Sequence, residues 1–296
     1  MMNAAEASPG IATRHEFDIE RSDAGSRASG RANVNGLQMY YEVHGTGDPL
    51  VYVPPQLGHC GVRDGDRFHD EFAELAAVRR IVTVDVQGHG RTPDVPGRPL
   101  SFRRHADDIA GLLDAIGIER ADVFGECAGG ATAVALALRY PHKVRRIATY
   151  GSTFKHGAHK PELLAGLKGL NHDDDAFAFQ RESYCSVAPD PSYWPTIWRK
   201  ICEIEPPHFT DDELRSVRAP ILVAAGDRDW VRLRAVVEAF ETFPNAHLAI
   251  VPDAGHFLLN VQPEKLLPLV RDFLTAPENR VPFATILTGY RPGRTR

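Results

Sequence analysis

From about residue 32 onward, apolar residues gather into short, β-branched runs separated by longer stretches of helical period. Two extended segments flank Asn35-Gly36, a pair that readily takes the positive φ angles of a tight hairpin turn. A buried strand follows at 50–53, then a helix over 72–78, a strand over 81–86, a helix over 102–116 and a strand over 121–124. The series continues with a helix over 131–140, strands over 146–150 and 220–225, a helix over 233–243, a strand over 246–251 and a helix over 263–274. Strands that alternate with helices predict parallel βαβ units. The expected fold class is therefore α/β: an eight-stranded, mostly parallel sheet with helices on both faces.

Three stretches stand outside this rhythm. Residues 1–31 are rich in Ala, Ser, Gly and charge without apolar periodicity, and residues 277–296 follow the last helix; both read as tails, the first flexible. Residues 155–217 interrupt the pattern after the sixth strand and carry Phe177, Tyr184, Tyr193, Trp194 and Trp198. A structureless loop of that length is improbable in a compact domain, so a helical cap is expected there, inserted into a core formed by 32–154 and 218–276.

Composition narrows the function. With 296 residues, 43% of them hydrophobic, the chain can bury one large core. A net charge of −5 and the lack of any Lys/Arg run argue against a nucleic-acid or membrane partner and favour a small molecule. No stretch approaches the roughly 20 apolar residues that span a bilayer, and no signal core opens the chain, so a cytoplasmic protein is expected. The four cysteines form no C-x-x-C pair, which argues against a zinc knuckle or a disulfide framework. His156, His159, His172 and the run Asp173 to Asp175 repeat no ligand spacing, so neither metal nor cofactor is expected.

The candidate chemistry starts at Gly125-Glu126-Cys127-Ala128-Gly129-Gly130, between a predicted strand and a predicted helix. G-x-C-x-G in that context describes a sharp turn that throws one side chain above the sheet, with glycines two residues either side so that backbones can pass closely. The helix that follows would point its positive end at the Cys127 thiol. Of thirteen histidines, only His256 sits just past a predicted strand with a helix to follow. Gly226-Asp227-Arg228-Asp229-Trp230 offers two carboxylates for it: Asp229, deep enough in the loop to reach the ring, and Asp227, which could cap the turn. Acyl chemistry also needs donors for a developing oxyanion. The Ala128 amide is one, and because Pro54 and Pro55 lack amide hydrogens, the Gln56 amide is the first available in the loop after 50–53.

Together these motifs resemble the α/β-hydrolase superfamily over residues 33–275. Asp85-Val86-Gln87-Gly88-His89-Gly90-Arg91-Thr92 looks like the family's D-x-x-G-x-G-x-S/T turn. The resemblance implies the chain order nucleophile, acid, histidine, and its spacing favours Asp229 over Asp227. Two positions depart from the pattern: Pro54-Pro55 replace the usual His-Gly, and Cys127 replaces the usual serine. Cysteine there is similar to dienelactone hydrolases and polyhydroxyalkanoate synthases, which implies work on lactones or thioesters. Residues 146–154 and 278–287 further resemble hydrolase modules linked to actinobacterial adenylate/guanylate cyclases, although the chain stops before a cyclase site could appear.

The expected function is hydrolysis of an ester, lactone or acyl-thioester through an acyl-cysteine on a Cys127–His256–Asp229 triad. An acyltransferase or cyclising thioesterase would use the same triad, and a non-catalytic sensor would keep the pocket without turnover. An aspartate nucleophile would have indicated a dehalogenase or epoxide hydrolase, and Cys127 argues against both. Glu126, Pro55, Trp194, Trp198, Tyr184, Trp230 and Phe257 are candidates to line the substrate pocket. For Glu126 the alternative is a buried, paired carboxylate, and for the cap aromatics it is packing among themselves.

Overall fold

The computed structural model describes residues 21–22, 25–60 and 67–277. Strands β2 (Gly25–Val34) and β3 (Leu37–His44) form the hairpin, with Val34 opposite Leu37 and both turn residues at positive φ, Asn35 at 49° and Gly36 at 83°. A two-residue strand, β1 (Arg21–Ser22), pairs antiparallel with the start of β2. The tail expected to reach residue 31 therefore ends earlier. Residues 25–31 carry little apolar signal, and their order comes from cross-strand pairing: Arg27 to Arg31 with Tyr40 to His44, and Gly25 and Ser26 with β1.

The remaining strands are β4 (Asp48–Val53), β5 (Arg79–Val84), β6 (Ala121–Glu126), β7 (Val144–Tyr150), β8 (Ile221–Gly226) and β9 (Ala246–Val251). They stand in the order β1-β2-β3-β5-β4-β6-β7-β8-β9, antiparallel as far as β5 and parallel from there on. Every residue of β6 and of β8 is buried, as expected of strands covered on both faces. Helices α2 (Phe102–Ala115), α3 (Ala128–Arg139) and α8 (Leu233–Thr242) cover one face through Ile109, Leu113, Val134, Leu136 and Val236. On the other face, α1 (Arg67–Ala76) and α10 (Pro263–Thr275) contribute Phe72, Leu75, Leu266, Val270 and Phe273.

Between β7 and β8 lie α4 (Pro161–Leu167), α5 (Ala178–Val187), α6 (Trp194–Cys202) and α7 (Asp211–Ser216). They are not one unit. Phe209, Leu214 and Val217 belong to the main core, so α7 is part of the hydrolase body, whereas α5 and α6 share a small core of their own, made of Tyr184, Trp194 and Ile197 with Leu100. Helix α6 is tied down by Lys200, whose ammonium reaches both oxygens of Asp94 at 2.6 and 2.7 Å and donates to the Arg98 carbonyl at 2.8 Å. The expected C-terminal tail lies outside the described residues from 278 onward, and so does the cyclase-like stretch 278–287.

The Asp94 side chain is only 2% exposed, so losing its cation strands a buried charge. Lys200→Met should cost about 3 kcal/mol of stability, read as a lower urea midpoint, with the far-UV spectrum unchanged.

Candidate active site

Strand β6 ends at Glu126 and α3 begins at Ala128, which leaves Cys127 to make the whole reversal alone, at φ 52° and ψ −116°. A side-chain-bearing residue pays strain of order 1–3 kcal/mol for such a backbone and keeps it only where the surroundings fix it. Here the Cys127 amide donates to the Tyr150 carbonyl at 2.8 Å, and the Cys127 carbonyl accepts from Gly130 at 3.1 Å. The neighbouring glycines are required by contact. A Cβ on Gly125 would stand 2.4 Å from the Gly129 carbonyl carbon, and one on Gly129 would stand 2.1 Å from the Val53 oxygen. The thiol itself is partly exposed, whereas Cys60 is buried.

His256 lies in the turn between β9 and a short helix, α9 (Leu258–Val261). Its Nδ1 is 2.8 Å from Asp229 Oδ1, which also accepts the Val231 amide at 3.0 Å. An ionised carboxylate can only accept, so Nδ1 carries the hydrogen and Nε2 is left for the Cys127 thiol, a hydrogen-bond partner of the ring. Asp227 has a different job. Its carboxylate accepts the Ala254 amide at 3.2 Å, and backbone amides of the same turn hold it below the usual carboxylate range. Of the two candidates, the structure therefore puts Asp229 on the ring.

Burial opposes a charge on His256, but the nearby Cys127 sulfur and Asp229 outweigh it and raise the ring from 6.5 to about 10. The imidazole thus holds its proton at neutral pH. Trp230 meets the ring edge-on with centroids 4.3 Å apart, and Phe257 packs on Trp230 at 5.2 Å. Behind the triad runs Gly151 at φ 59°, where a Cβ would stand 2.9 Å from His256 Nδ1 and 3.1 Å from Asp229 Oδ2.

The loop after β4 passes directly over the elbow, with the Pro54 carbonyl 2.8 Å from the point a Gly129 Cβ would occupy. A turn from Pro55 to Gly58, closed by a 2.8 Å hydrogen bond, holds Gln56 and Leu57 at its two central positions, Leu57 at φ 66°. The Gln56 amide is not used in closing that turn. The Ala128 amide opens α3, where no intrahelical acceptor exists. Ala128 adjoins Cys127 in the chain, and the loop that carries Gln56 leaves β4 against Gly129.

The expected pocket residues separate. Trp230 and Phe257 line a cleft of about 490 Å³ with Lys160, Leu163, Asp229 and His256. Pro55 belongs to the turn just described. Trp194, Trp198 and Tyr184 pack on one another, with centroids 5.5 to 5.7 Å apart, as the cap's own core. Glu126 is buried and accepts from the Tyr52 hydroxyl at 2.9 Å, the paired-carboxylate alternative. Several residues that matter carried no signal strong enough to single them out: Gly151, His59, and His159, whose ring burial holds below its usual pKa near His256. Asp85 was visible only as part of a motif. Its carboxylate takes the Cys60 amide and, at 2.7 Å, the Arg91 amide, so the D-x-x-G-x-G turn anchors the far end of the loop after β4.

This architecture and this elbow are those of the alpha/beta hydrolase fold family, to which the chain belongs; the family match covers residues 49–184. Among its relatives, the chain is 31% identical over 262 residues to the 2-hydroxymuconate semialdehyde hydrolase of Pseudomonas sp. (strain CF600), spanning 81% of this chain and 91% of that one. It is 27% identical over 269 residues to a protein of Caulobacter sp. (strain K31) named as the carbamate hydrolase RutD, spanning 82% and 97%. A solved N-acyl homoserine lactone degrading enzyme superposes with a TM-score of 0.67 at 26% identity, over 82% of this chain and 99% of that one. Among the described residues, no helix is long and apolar enough to cross a membrane, and no group of three His, Cys, Asp or Glu is placed to hold a metal ion.

Two measurements probe this geometry. Followed by NMR, the His256 ring should titrate near 10 in the wild type and at lower pH in Cys127→Ala, because the sulfur is the first of the influences that raise it. Gly151→Ala should push the ring off Asp229, read by NMR as a titration midpoint below the wild-type value, because the carboxylate is among the influences that raise it.

Proposed function

We propose that the chain is a hydrolase of carboxylic esters, lactones or acyl-thioesters that works through an acyl-cysteine. The observation that carries this reading is the partly exposed Cys127 at a strained strand-to-helix turn, hydrogen-bonded to a His256 that is anchored on the buried Asp229. The Cys127 thiol gives its proton to His256 Nε2, its hydrogen-bond partner, and the resulting thiolate attacks the carbonyl carbon while the carbonyl π electrons move onto oxygen. That oxyanion accepts from the amides of Gln56 and Ala128. As the intermediate collapses, the bond to the leaving group breaks and protonated His256 supplies the leaving group's proton. Neutral His256 then takes a proton from water as the water attacks the thioester; the second intermediate expels the Cys127 thiolate and releases the carboxylic acid.

Hydrolysis is favoured over transfer to another nucleophile because the similar proteins named above are hydrolases or a lactone-degrading enzyme. Screening aryl esters, lactones and acyl-thioesters, with intact-mass detection of the acyl-enzyme, tests the reading. Free acid as the product supports hydrolysis, an acylated amine or alcohol points to transfer, and binding without any product points to a sensor.

Cys127→Ala should abolish turnover and leave the fold intact, and His256→Ala should cost about as much, because members of such a unit fail together. Iodoacetamide should label Cys127 far faster than Cys60 or Cys202, whose thiols burial pushes up, with Asp85 and Glu203 respectively adding to it. Losing His256 should slow that labelling; a rate profile against pH that is the same in His256→Ala would remove the histidine from the activation of Cys127. Cys127→Ser should lose most activity and accumulate an acyl-serine visible by mass, since an alkoxide leaves less readily than a thiolate.

A further inference from the structure

Two points fix the loop that carries Gln56: the end of β4 at Val53, and Cys60, whose amide Asp85 holds. Between them the loop has little backbone support. Pro54 and Pro55 cannot donate, and the turn is closed only by the bond from Gly58 to Pro55. Leu57 occupies the left-handed region, where a branched side chain stays only if contacts hold it. Those contacts come from the cap, because Leu57 packs against the cluster of Tyr184, Trp194 and Ile197.

The second support also crosses to the cap. His59 is buried, and its Nδ1, 3.0 Å from the Cys60 carbonyl, must donate to it. In the neutral ring Nε2 is then an acceptor: the Ser183 hydroxyl on α5 lies 2.9 Å away to donate, whereas the Ser183 carbonyl, 3.3 Å away, has no hydrogen to give. Ser183 precedes Tyr184 of the cap core, so α5 presents the hydroxyl from a helix that its own packing holds in place.

We infer that Ser183 and His59 are positioning residues for acyl transfer: through them, and through the seat of Leu57, the cap sets the direction of the Gln56 amide towards the oxyanion. The cap thus acts on the transition state as well as roofing the sheet. This rests on the assignment of Gln56 proposed above. In this family member the cap supplies an anchorage that Pro54 and Pro55 cannot supply through backbone donation.

The test compares two reactions of the same thiol. Acylation of Cys127 by p-nitrophenyl acetate builds an oxyanion; alkylation by iodoacetamide is displacement at saturated carbon and builds none. Deleting an oxyanion donor outright costs about 10²–10³ in rate, so misdirecting one through Ser183→Ala should slow acylation about tenfold or more. The alkylation rate and the melting temperature should stay at wild-type values. Ser183→Thr, which keeps the hydroxyl, should restore acylation. Wild-type acylation in Ser183→Ala overturns this inference alone, and equal slowing of both reactions also overturns it, since the effect then does not pass through the oxyanion. A wild-type enzyme that is alkylated at Cys127 but never acylated overturns the proposed function, and this inference with it.

Discussion

Everything near the candidate site follows from the decision to reverse the chain within one residue. Cys127 can hold φ 52° only because β4, β6 and the first turn of α3 approach more closely than any side chain would allow. That approach in turn fixes where the loop after β4 must leave the sheet, against Gly129. The same crowding extends behind the site, where the chain turns at Gly151 because nothing larger fits between it and the His256–Asp229 pair. Cys127 is thus held by sterics and the His256 ring by charge.

The charge arrangement is compact. Asp229 is fully buried yet has two donors on one oxygen, the His256 ring and the Val231 amide, which hold the carboxylate to one orientation. Backbone pairing holds the loop that bears it: the Lys160 amide donates to the Trp230 carbonyl and the Arg232 amide to the Ala158 carbonyl, each at 2.8 Å. Trp230 closes against the His256 ring from the side. The ring is therefore flanked by a carboxylate held to one orientation on one side and by the Cys127 sulfur on the other.

How much of this could be read in the chain depended on the range of the interaction. Local chemistry was legible: Asn35-Gly36 as a turn, the apolar periods as strands and helices, G-x-C-x-G as an elbow. Between Asp227 and Asp229 the spacing already favoured Asp229, and three-dimensional reach accounts for it: Asp229 meets the His256 ring while Asp227 takes the Ala254 amide. Contacts distant in sequence left no local mark. The order of Arg27 to Arg31 depends on β3, and the membership of Phe209 and Leu214 in the main core depends on α8 and the sheet. The link from His59 to Ser183 spans 124 residues. Aromatic content in the cap was visible, but whether Trp194 and Trp198 face a ligand or each other is a matter of packing that composition does not encode.

The two ends of the insertion meet where the Phe209 amide donates to the Phe154 carbonyl at 2.9 Å and Lys155 pairs with Asp211, and Phe154 rests edge-on against Phe243 of the body. The excursion therefore leaves and returns through a narrow neck, so its length and content can vary without shifting the sheet beneath. Such a neck is a natural joint for exchange between related proteins. What travels through it is not inert, however, because position 183 and residues 158–160 sit on the exchanged piece and touch the loops that carry His59 and Asp229. A chimera joined at Phe154 and Phe209 would inherit the donor's roof and, with it, the donor's setting of the chemistry below.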